Sequence, residues 1–329
     1  MSESLSGLLT RRRVLQLGLA SALAAAGATA ACSGGTPLKV ALQSWGGFQF
    51  MRLAERRGWL GDARVALVDV ESSEEATAGL RDGRFDAATL TLDEVVRLRG
   101  SGVDVQVALV CDVSAGADVL LAKPELRSLA DLRGQRIGVE ATALGALVFS
   151  EVLHAAGLRR DDVAVVPIEE DHFVAWQRRQ DLDAVLTYGT SAELLRALGL
   201  RPLIDSRDLR TVIFDVLAVR RNLGSGERRA IEALVAGHFR GVELWQRNRI
   251  DAAYELALLL DTPAENVNNL FKGIDLPDVT YNRHALSPPA TELAETARDV
   301  GTVLVKAGML PAEPALAQLF TADYLPRAT

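Results

Sequence analysis

The first apolar segment of the chain is followed by a turn in which a serine, a tryptophan and two glycines precede a phenylalanine. Glycine lets a ligand approach the backbone closely, and the start of a helix offers free N–H groups. A tryptophan in such a turn can stack on a planar ligand, or it can pack against the protein. The turn predicts ligand contact by Ser44, Trp45, Gly46, Gly47 and Phe48.

Hydroxyl and carboxyl side chains recur at the ends of other apolar segments. Thr91 can bind a ligand through its hydroxyl or cap the helix that follows it, and Thr142 offers the same two roles. A carboxylate buried at Asp118 has to pair with a cationic ligand group, a backbone cluster or an arginine, or it holds its own loop. The further candidate ligand contacts are Thr89, Thr91, Ser114, Asp118, Thr142, Tyr188, Thr190, Phe214 and Asp215.

Residue types that are common in catalytic and metal sites do not form a motif in this chain. The four histidines, at positions 154, 172, 238 and 284, are scattered without metal-ligand spacing. The sequence contains no P-loop, nucleophile elbow or zinc motif. Only His172, which follows three acidic residues, has a position near a predicted cleft. We therefore expect a protein that is not an enzyme, with no catalytic residue, no cofactor and no metal site.

Short apolar runs alternate with amphipathic stretches through the middle of the chain, which is typical of α/β architecture. One pattern occurs twice, at 83–91 and 180–188: a helix ends and an Asp-Ala step begins a strand with threonine near its end. Ligands in open α/β sheets bind beyond the C-terminal ends of the strands, so the two repeats are predicted to face each other across a cleft. The C-terminal part is predicted to be helical over Glu227–Arg247, Ile250–Leu260, Ala264–Ile274 and Pro289–Ala307.

The N-terminal 31 residues have the composition of an export signal. Arg11–Arg13 precede the uncharged segment Val14–Ala31, which is less apolar than a membrane anchor. The run Thr10–Gln16 resembles the twin-arginine export motif, with an ordinary secretory signal as the alternative. The small residues before Cys32 resemble a lipoprotein box and predict lipidation of Cys32; cleavage after Ala28–Ala30, giving a free protein, is the alternative.

The remaining composition agrees with a location outside the cytoplasmic membrane. Residues 32–36 form a short flexible tether, and Cys111 lies in an apolar run where a buried thiol is expected. The net charge is −7, and the basic spots are short and interrupted by acids, which argues against nucleic acid as a partner. No second apolar segment is long enough to cross a bilayer, so membrane contact is expected only through a lipid anchor.

Seven segments match, in order, the pattern of one known family. They are Gln43–Phe48, Leu53–Leu60, Gly83–Ala88, Leu109–Asp118, Ser128–Glu140, Ala156–Val163 and Asp215–Val219. As a set they resemble the solute-binding proteins of ABC importers, of the nitrate, sulfonate, taurine and thiamine-pyrimidine type, over about residues 37–220. Relatives often have proline in place of Gly46, an acid in place of Gln49, and a Trp/Phe-Glu-Pro run in place of residues 188–190.

The resemblance implies a periplasmic binding protein of type II, in which two doubly wound α/β domains joined by two hinge strands close over a ligand in a central cleft. The first domain would hold residues 37–122 and 212–329, and the second residues 123–211. It also implies a monomer in the periplasm or at the cell-envelope surface that delivers a small molecule to an ABC permease and its ATPase. The alternatives are a sensor that presents its ligand to a membrane receptor, and an enzyme of the same fold from the menaquinone or pyrimidine pathway.

The predicted lining of the cleft contains Asp118, Glu140 and Asp215 but no lysine or arginine. This composition argues against nitrate or a sulfonate as the ligand, although helix N-termini alone can hold an anion. It favours a small polar organic molecule with a planar or amine-bearing part.

Overall fold

The computed structural model describes residues 36–168, 171–288 and 291–327. The predicted export signal and the predicted lipidation site Cys32 lie outside the described residues. Within the described ranges, no helix combines the length and the hydrophobicity that a membrane span requires.

The described chain alternates strands and helices through its first two thirds and is mainly helical after that. The strands are β1 (Leu38–Gln43), β2 (Val65–Val70), β3 (Ala87–Thr91), β4 (Val105–Ser114), β5 (Val119–Ala122), β6 (Arg136–Glu140), β7 (Ala164–Ile168), β8 (Ala184–Thr187), β9 (Arg201–Asp205), β10 (Ile213–Arg220) and β11 (Ile274–Asp275). The helices are α1 (Gln49–Arg56), α2 (Ser73–Asp82), α3 (Leu92–Gly100), α4 (Ala143–Ala156), α5 (His172–Arg178), α6 (Gly189–Ala197), α7 (Ser225–Arg247), α8 (Arg249–Leu259), α9 (Ala264–Leu270), α10 (Val279–Leu286) and α11 (Thr291–Lys306).

The strands form two sheets. The first has the order β11-β4-β10-β3-β1-β2 and the second the order β7-β6-β8-β5-β9. In the first sheet β1 is parallel to β2 and β3, whereas β10 runs antiparallel to β3 and β4. The chain leaves the first sheet at residues 115–118 and returns at residues 206–212. Two α/β domains with two connections confirm the predicted fold class, while the exact domain bounds stay a prediction.

The first sheet is covered on one side by long helices that pack closely on it. Helix α7 lies against α1, and this approach depends on Gly237, because a Cβ there would lie 2.6 Å from Ala54 Cβ. His238, the next residue, is fully buried and packs edge-on against Phe50 with ring centroids 5.8 Å apart. Burial lowers the pKa of His238 to about 3, so this histidine is neutral and acts as a core side chain.

The predicted helix Ala264–Ile274 is wrong in its second half. Helix α9 ends at Leu270, and Gly273, with φ at +73°, turns the chain so that Ile274 pairs with Ser114 of β4. A Cβ at Gly273 would lie 2.6 Å from the backbone nitrogen of Ala117. The glycine therefore permits both the left-handed turn and the close contact with the segment that leaves β4.

Helix α10 was not predicted from the sequence, and it completes the edge of β4. Its Asn282 is fully buried; the Asn282 side chain accepts a hydrogen bond from Val110 N at 2.7 Å and donates one to Val110 O at 3.1 Å. Strand β11 pairs with β4 only at Val113 and Ser114, so the outer edge of β4 at Val110 has no neighbouring strand and its backbone groups need another partner. Nearer the start of the same strand, Val107 N donates to Leu319 O at 2.7 Å.

The close approach of α7 to α1 gives a test within one helix. Replacing Gly237 with alanine places a methyl group 2.6 Å from Ala54 Cβ, so we expect the free energy of unfolding to fall by about 1–3 kcal/mol. Gly226→Ala, where nothing lies within 4 Å, is the matched control and should leave stability unchanged or raise it by up to about 1 kcal/mol. Equilibrium denaturation by urea measures both changes, and equal stability of the two variants would contradict the packing described.

Candidate functional site

A cavity of about 390 Å³ lies where strands of both sheets end. The first sheet contributes the segment after β1, the junction of β3 with α3 and the start of β10; the second sheet contributes the segments after β6 and β8. The lining consists of Gln43, Ser44, Trp45, Phe48, Val70, Glu71, Ser72, Ser73, Thr91, Glu94, Asp118, Glu140, Thr142, Leu144, Tyr188, Ile213 and Asp215.

The cavity brings together eight of the fourteen candidate ligand contacts from the sequence. Residues from distant parts of the chain meet here because parallel strands present their C-terminal ends at one edge of a sheet. Whether any of them touches a ligand stays a prediction. The eight are Ser44, Trp45, Phe48, Thr91, Asp118, Thr142, Tyr188 and Asp215.

The other six candidates lie outside the lining. Thr89 is fully buried and its hydroxyl accepts a hydrogen bond from Gln43 N, so it joins β3 to β1. Phe214 is 1% exposed and packs in the core of the first sheet, whereas Thr190 is exposed near the start of α6. Ser114 is hydrogen-bonded through its hydroxyl to the hydroxyl of Ser206, in the segment by which the chain returns to the first sheet. The six are Gly46, Gly47, Thr89, Ser114, Thr190 and Phe214.

The lining also includes acidic and hydroxyl residues that the list of candidates from the sequence lacked. Ser72 and Ser73 lie at the start of α2, where Ser72 accepts a hydrogen bond from Glu75 N. Glu94 lies in the first turn of α3 and accepts a hydrogen bond from Thr91 N at 2.9 Å. The sequence carries a signal for both, because a hydroxyl before a helix and a glutamate three residues after it are typical capping residues. Capping alone does not indicate that such residues border a cavity.

A buried carboxyl pair lies beneath the cavity floor. Asp112 of β4 stands opposite Asp215 of β10 in the antiparallel pairing, and Trp45 Nε1 donates to Asp112 Oδ2 at 3.1 Å. A Cβ at Gly47 would overlap the Asp112 carboxyl group, so that position needs glycine. Burial raises the pKa of Asp112 to about 6, and burial together with the charge of Asp112 raises the pKa of Asp215 well above its ordinary value.

The two chain crossings are joined by hydroxyl groups below Asp118. Ser114 Oγ lies 2.7 Å from Ser206 Oγ, and Ser206 Oγ accepts a hydrogen bond from Gly116 N at 2.7 Å. Ser206 N donates to the backbone oxygen of Asp118 at 2.8 Å. These bonds fix the position of Asp118. Burial raises the pKa of the Asp118 carboxyl group to about 6.

The second sheet contributes the carboxyl group of Glu140, which lies next to the side chains of Tyr188 and His172. Tyr188 Oη donates to Glu140 Oε2 at 3.2 Å, and His172 Nε2 lies 3.9 Å from the same oxygen. The ring of Tyr188 packs edge-on against His172 and, with ring centroids 6.0 Å apart, against Trp45. Burial raises the pKa of Glu140 to about 7 and lowers the pKa of His172.

One more acid lies behind the cavity wall. Asp93 of α3 is 2% exposed, and its Oδ2 atom has no hydrogen-bond partner within the described chain. Burial and the neighbouring charge of Glu94 raise the pKa of Asp93 to about 8. The region around the cavity therefore holds several carboxyl groups that bind protons near neutral pH.

The cavity lining contains no basic side chain among the residues that the structure describes. In the same part of the chain, no group of three or more His, Cys, Asp or Glu residues has an arrangement suited to a metal ion. The site can therefore offer carboxyl groups, hydroxyl groups and three aromatic rings to a ligand.

Comparison with known proteins identifies relatives with this fold. The model of a family described as NMT1/THI5 like matches residues 45–220, just over half of the chain. No curated protein sequence matches. The structure of the periplasmic aliphatic sulphonate binding protein SsuA from Escherichia coli is similar, with a TM-score of 0.71 and 16% identity over 87% of this chain and 98% of that chain.

Two further structures show how widely the fold is used. The ligand binding component of an ABC-type import system from Staphylococcus aureus, with zinc bound, has a TM-score of 0.67 and 11% identity over 88% of this chain and 98% of that chain. The desulfurization enzyme DSZB has a TM-score of 0.61 and 20% identity over 88% of this chain and 97% of that chain. The fold thus occurs in binding proteins and in an enzyme.

The buried carboxyl groups predict an unusual pH dependence of stability. Between pH 8.5 and pH 7 the carboxyl groups of the unfolded chain stay ionised, whereas Asp93 and Glu140, with pKa values of about 8 and 7, take up protons in the folded protein. The free energy of unfolding should therefore rise as the pH falls, by up to about 1.4 kcal/mol per pH unit for each proton bound.

Urea denaturation at several pH values measures this slope. Asp93→Asn, which has the same shape and no ionisable group, should reduce it. The window ends at pH 7 because His238 begins to oppose the trend once the unfolded chain protonates near pH 6.5. A stability that is flat or falls between pH 8.5 and pH 7 would contradict the protonation of these carboxyl groups.

Proposed function

Because the chain belongs to the NMT1/THI5-like family, we propose that it is an extracytoplasmic solute-binding protein of an ABC importer. It captures a small polar organic ligand in the cavity between its two sheets and delivers it to a membrane permease. The proposal is supported by the fold shared with the SsuA sulphonate-binding protein and with the ligand binding component of an ABC-type import system.

The observation that carries the proposal is that both sheets line one cavity. Trp45, Asp118 and Asp215 reach it from the first sheet and the segment that leaves it, whereas Glu140 and Tyr188 reach it from the second sheet. A ligand that touches both sides gains contacts only when the two sides are close together. Ligand binding would therefore shift the population toward the closed arrangement by the free energy of those contacts.

The place of action and the partners belong to the same proposal. An export signal over residues 1–31 and a lipid on Cys32 would hold a monomeric receptor beside its permease and the ATPase of that permease. The tether of residues 32–36 would leave the folded part free to dock.

A binding role is favoured over the catalysis found in the DSZB neighbour by the chemistry of the lining. No cysteine lies in the described cavity wall, and Cys111 is fully buried beside it. Burial raises the pKa of the Cys111 thiol well above its ordinary value, which disfavours the nucleophilic thiolate.

A ligand panel tests the proposal. Small polar metabolites are screened by thermal shift and hits are confirmed by calorimetry, with small-angle scattering of the free and bound protein. We expect a ligand with 1:1 stoichiometry that stabilises the protein by about 2.7 kcal/mol at a hundredfold excess over its dissociation constant and reduces the radius of gyration.

Two tryptophan variants provide the control for the panel. Trp45→Ala should weaken binding at least tenfold because the side chain lines the cavity, whereas Trp59→Ala, which removes a ring outside the lining, should not. The proposal would be refuted if a broad panel gave neither stabilisation nor compaction.

A further inference from the structure

We propose that the cavity is selective for an organic cation, whose positive charge binds at Asp118 and Asp215 and displaces a proton held there. This inference rests on the proposed function and specifies the chemistry of its ligand. It concerns Asp118, in the segment by which the chain leaves the first sheet, and Asp215, near the start of β10, by which the chain returns.

Asp118 and Asp215 are both buried and unneutralised. Each side chain belongs to a residue that is 7% exposed and lines the cavity. Neither forms an ion pair with a described arginine, lysine or histidine. Burying a carboxylate without a counter-charge is costly, so the group has to hold a proton or meet a cation. Both carboxyl groups line the same cavity, from which a cation can reach them.

A second feature, independent of the acids, indicates an organic ligand. Trp45 donates its N–H group to Asp112, so the part of its side chain that is left for a ligand is the aromatic ring, which belongs to the cavity lining. Tyr188 packs edge-on against this indole and lines the same space. A cation within about 6 Å of such a ring is attracted to its face.

The described groups that border the cavity beside Asp118 and Asp215 are acidic or neutral, whereas the basic side chains of Arg196, Arg207 and Lys272 line a separate pocket behind Trp45 and residues 115–117. On the first sheet side they are Asp112 and Cys111 of β4, Glu94 and Asp93 of α3, and Glu71 and Glu74 near the start of α2. On the second sheet side they are Glu140, Tyr188, and His172 with its neighbour Asp171. An anion such as a sulfonate finds no counter-charge among these side chains, whereas a cation finds several.

The burial of Asp118 and Asp215 also explains why binding of a cation releases a proton from them. Burial raises the pKa of Asp118 to about 6, and it raises the pKa of Asp215 well above its ordinary value, with repulsion from Asp112 adding to the effect. Without a cation beside them, these carboxyl groups therefore hold protons more readily than exposed ones do. An organic cation beside these oxygens favours their ionised form, so one positive charge enters and a proton passes to the solvent. Affinity for the cation then rises with pH, tenfold per pH unit for each proton released.

The test uses matched ligands that differ only in charge. A panel of planar and alkyl organic cations is titrated by calorimetry, each with its uncharged alcohol and its sulfonate counterpart; benzylammonium, benzyl alcohol and phenylmethanesulfonate form one such set. We expect binding by members of the cation series, at least tenfold weaker binding by their alcohols, and none by their sulfonates. Repeating the titration in buffers with different ionisation enthalpies should show release of close to one proton per ligand near pH 7.

Carboxyl variants locate the charge. Asp118→Asn and Asp215→Asn should each weaken binding of the cation at least tenfold, reduce proton release and leave the affinity for the uncharged counterpart within threefold. Asp275→Asn, which removes an exposed carboxyl group of the first sheet outside this lining, is the matched control and should change nothing. Circular dichroism and denaturation of each variant check that it folds.

The outcomes separate this inference from the proposed function. If a sulfonate or nitrate binds and the cations do not, the inference is overturned while the binding function stands. Cation binding without proton release, or with full affinity in both variants, also overturns it. If no compound of any charge binds, the proposed function fails and the inference fails with it.

Discussion

The contact between Asp112 and its neighbours is the constraint on which the rest of the site depends. Asp112 lies at the end of β4, paired with Asp215 of β10, so the two strands that lead to and from the second sheet meet through a pair of carboxyl groups. Gly47 has no Cβ, and the Asp112 carboxyl group occupies the space that a Cβ would need. The turn after β1 can therefore pack directly against this carboxyl group. Trp45 is then held by its N–H group, and its orientation toward Tyr188 follows from that bond.

The two segments that connect the sheets, residues 115–118 and 206–212, are hydrogen-bonded to each other and to the C-terminal part of the chain. The hydroxyls of Ser114 and Ser206 join the two crossings, and Ala115 N donates to Gly273 O at 2.7 Å. Glycine at 273 makes this last contact possible. These hydrogen bonds restrain the two connections between the sheets, so the second sheet can move relative to the first only by bending about them. Such a movement would keep Asp118 and Asp215 at the floor of the cavity while the wall formed by Glu140 and Tyr188 moves.

Much of the fold could be predicted from the sequence because its elements are local patterns. Strand β1 and helix α4 have the bounds that their apolar runs and caps indicate. Residues at strand ends, such as Trp45, Thr142 and Tyr188, could be placed at a cleft because the topology of α/β sheets brings such ends together. Phe214 lies between two lining residues of β10, and the alternation of a strand turns its side chain into the protein. Thr89 lies two residues before the end of β3, where its hydroxyl accepts a hydrogen bond from the backbone of β1. Asn282 has no local signal in the sequence, since its role depends on the unpaired edge of a strand 172 residues earlier in the chain.

The edge of β4 has a consequence for the order in which the parts can fold during synthesis. The strands of the second sheet lie within residues 119–205 and can pair as soon as that stretch has left the ribosome. The first sheet begins earlier but needs β10, β11, Asn282 and the backbone of Leu319 to satisfy β4. Strands β1 to β3 can pair among themselves, but β4 has no neighbouring strand until β10 and β11 have been made. A chain with this connectivity completes its folding after translation, and the half that starts first is the half that finishes last.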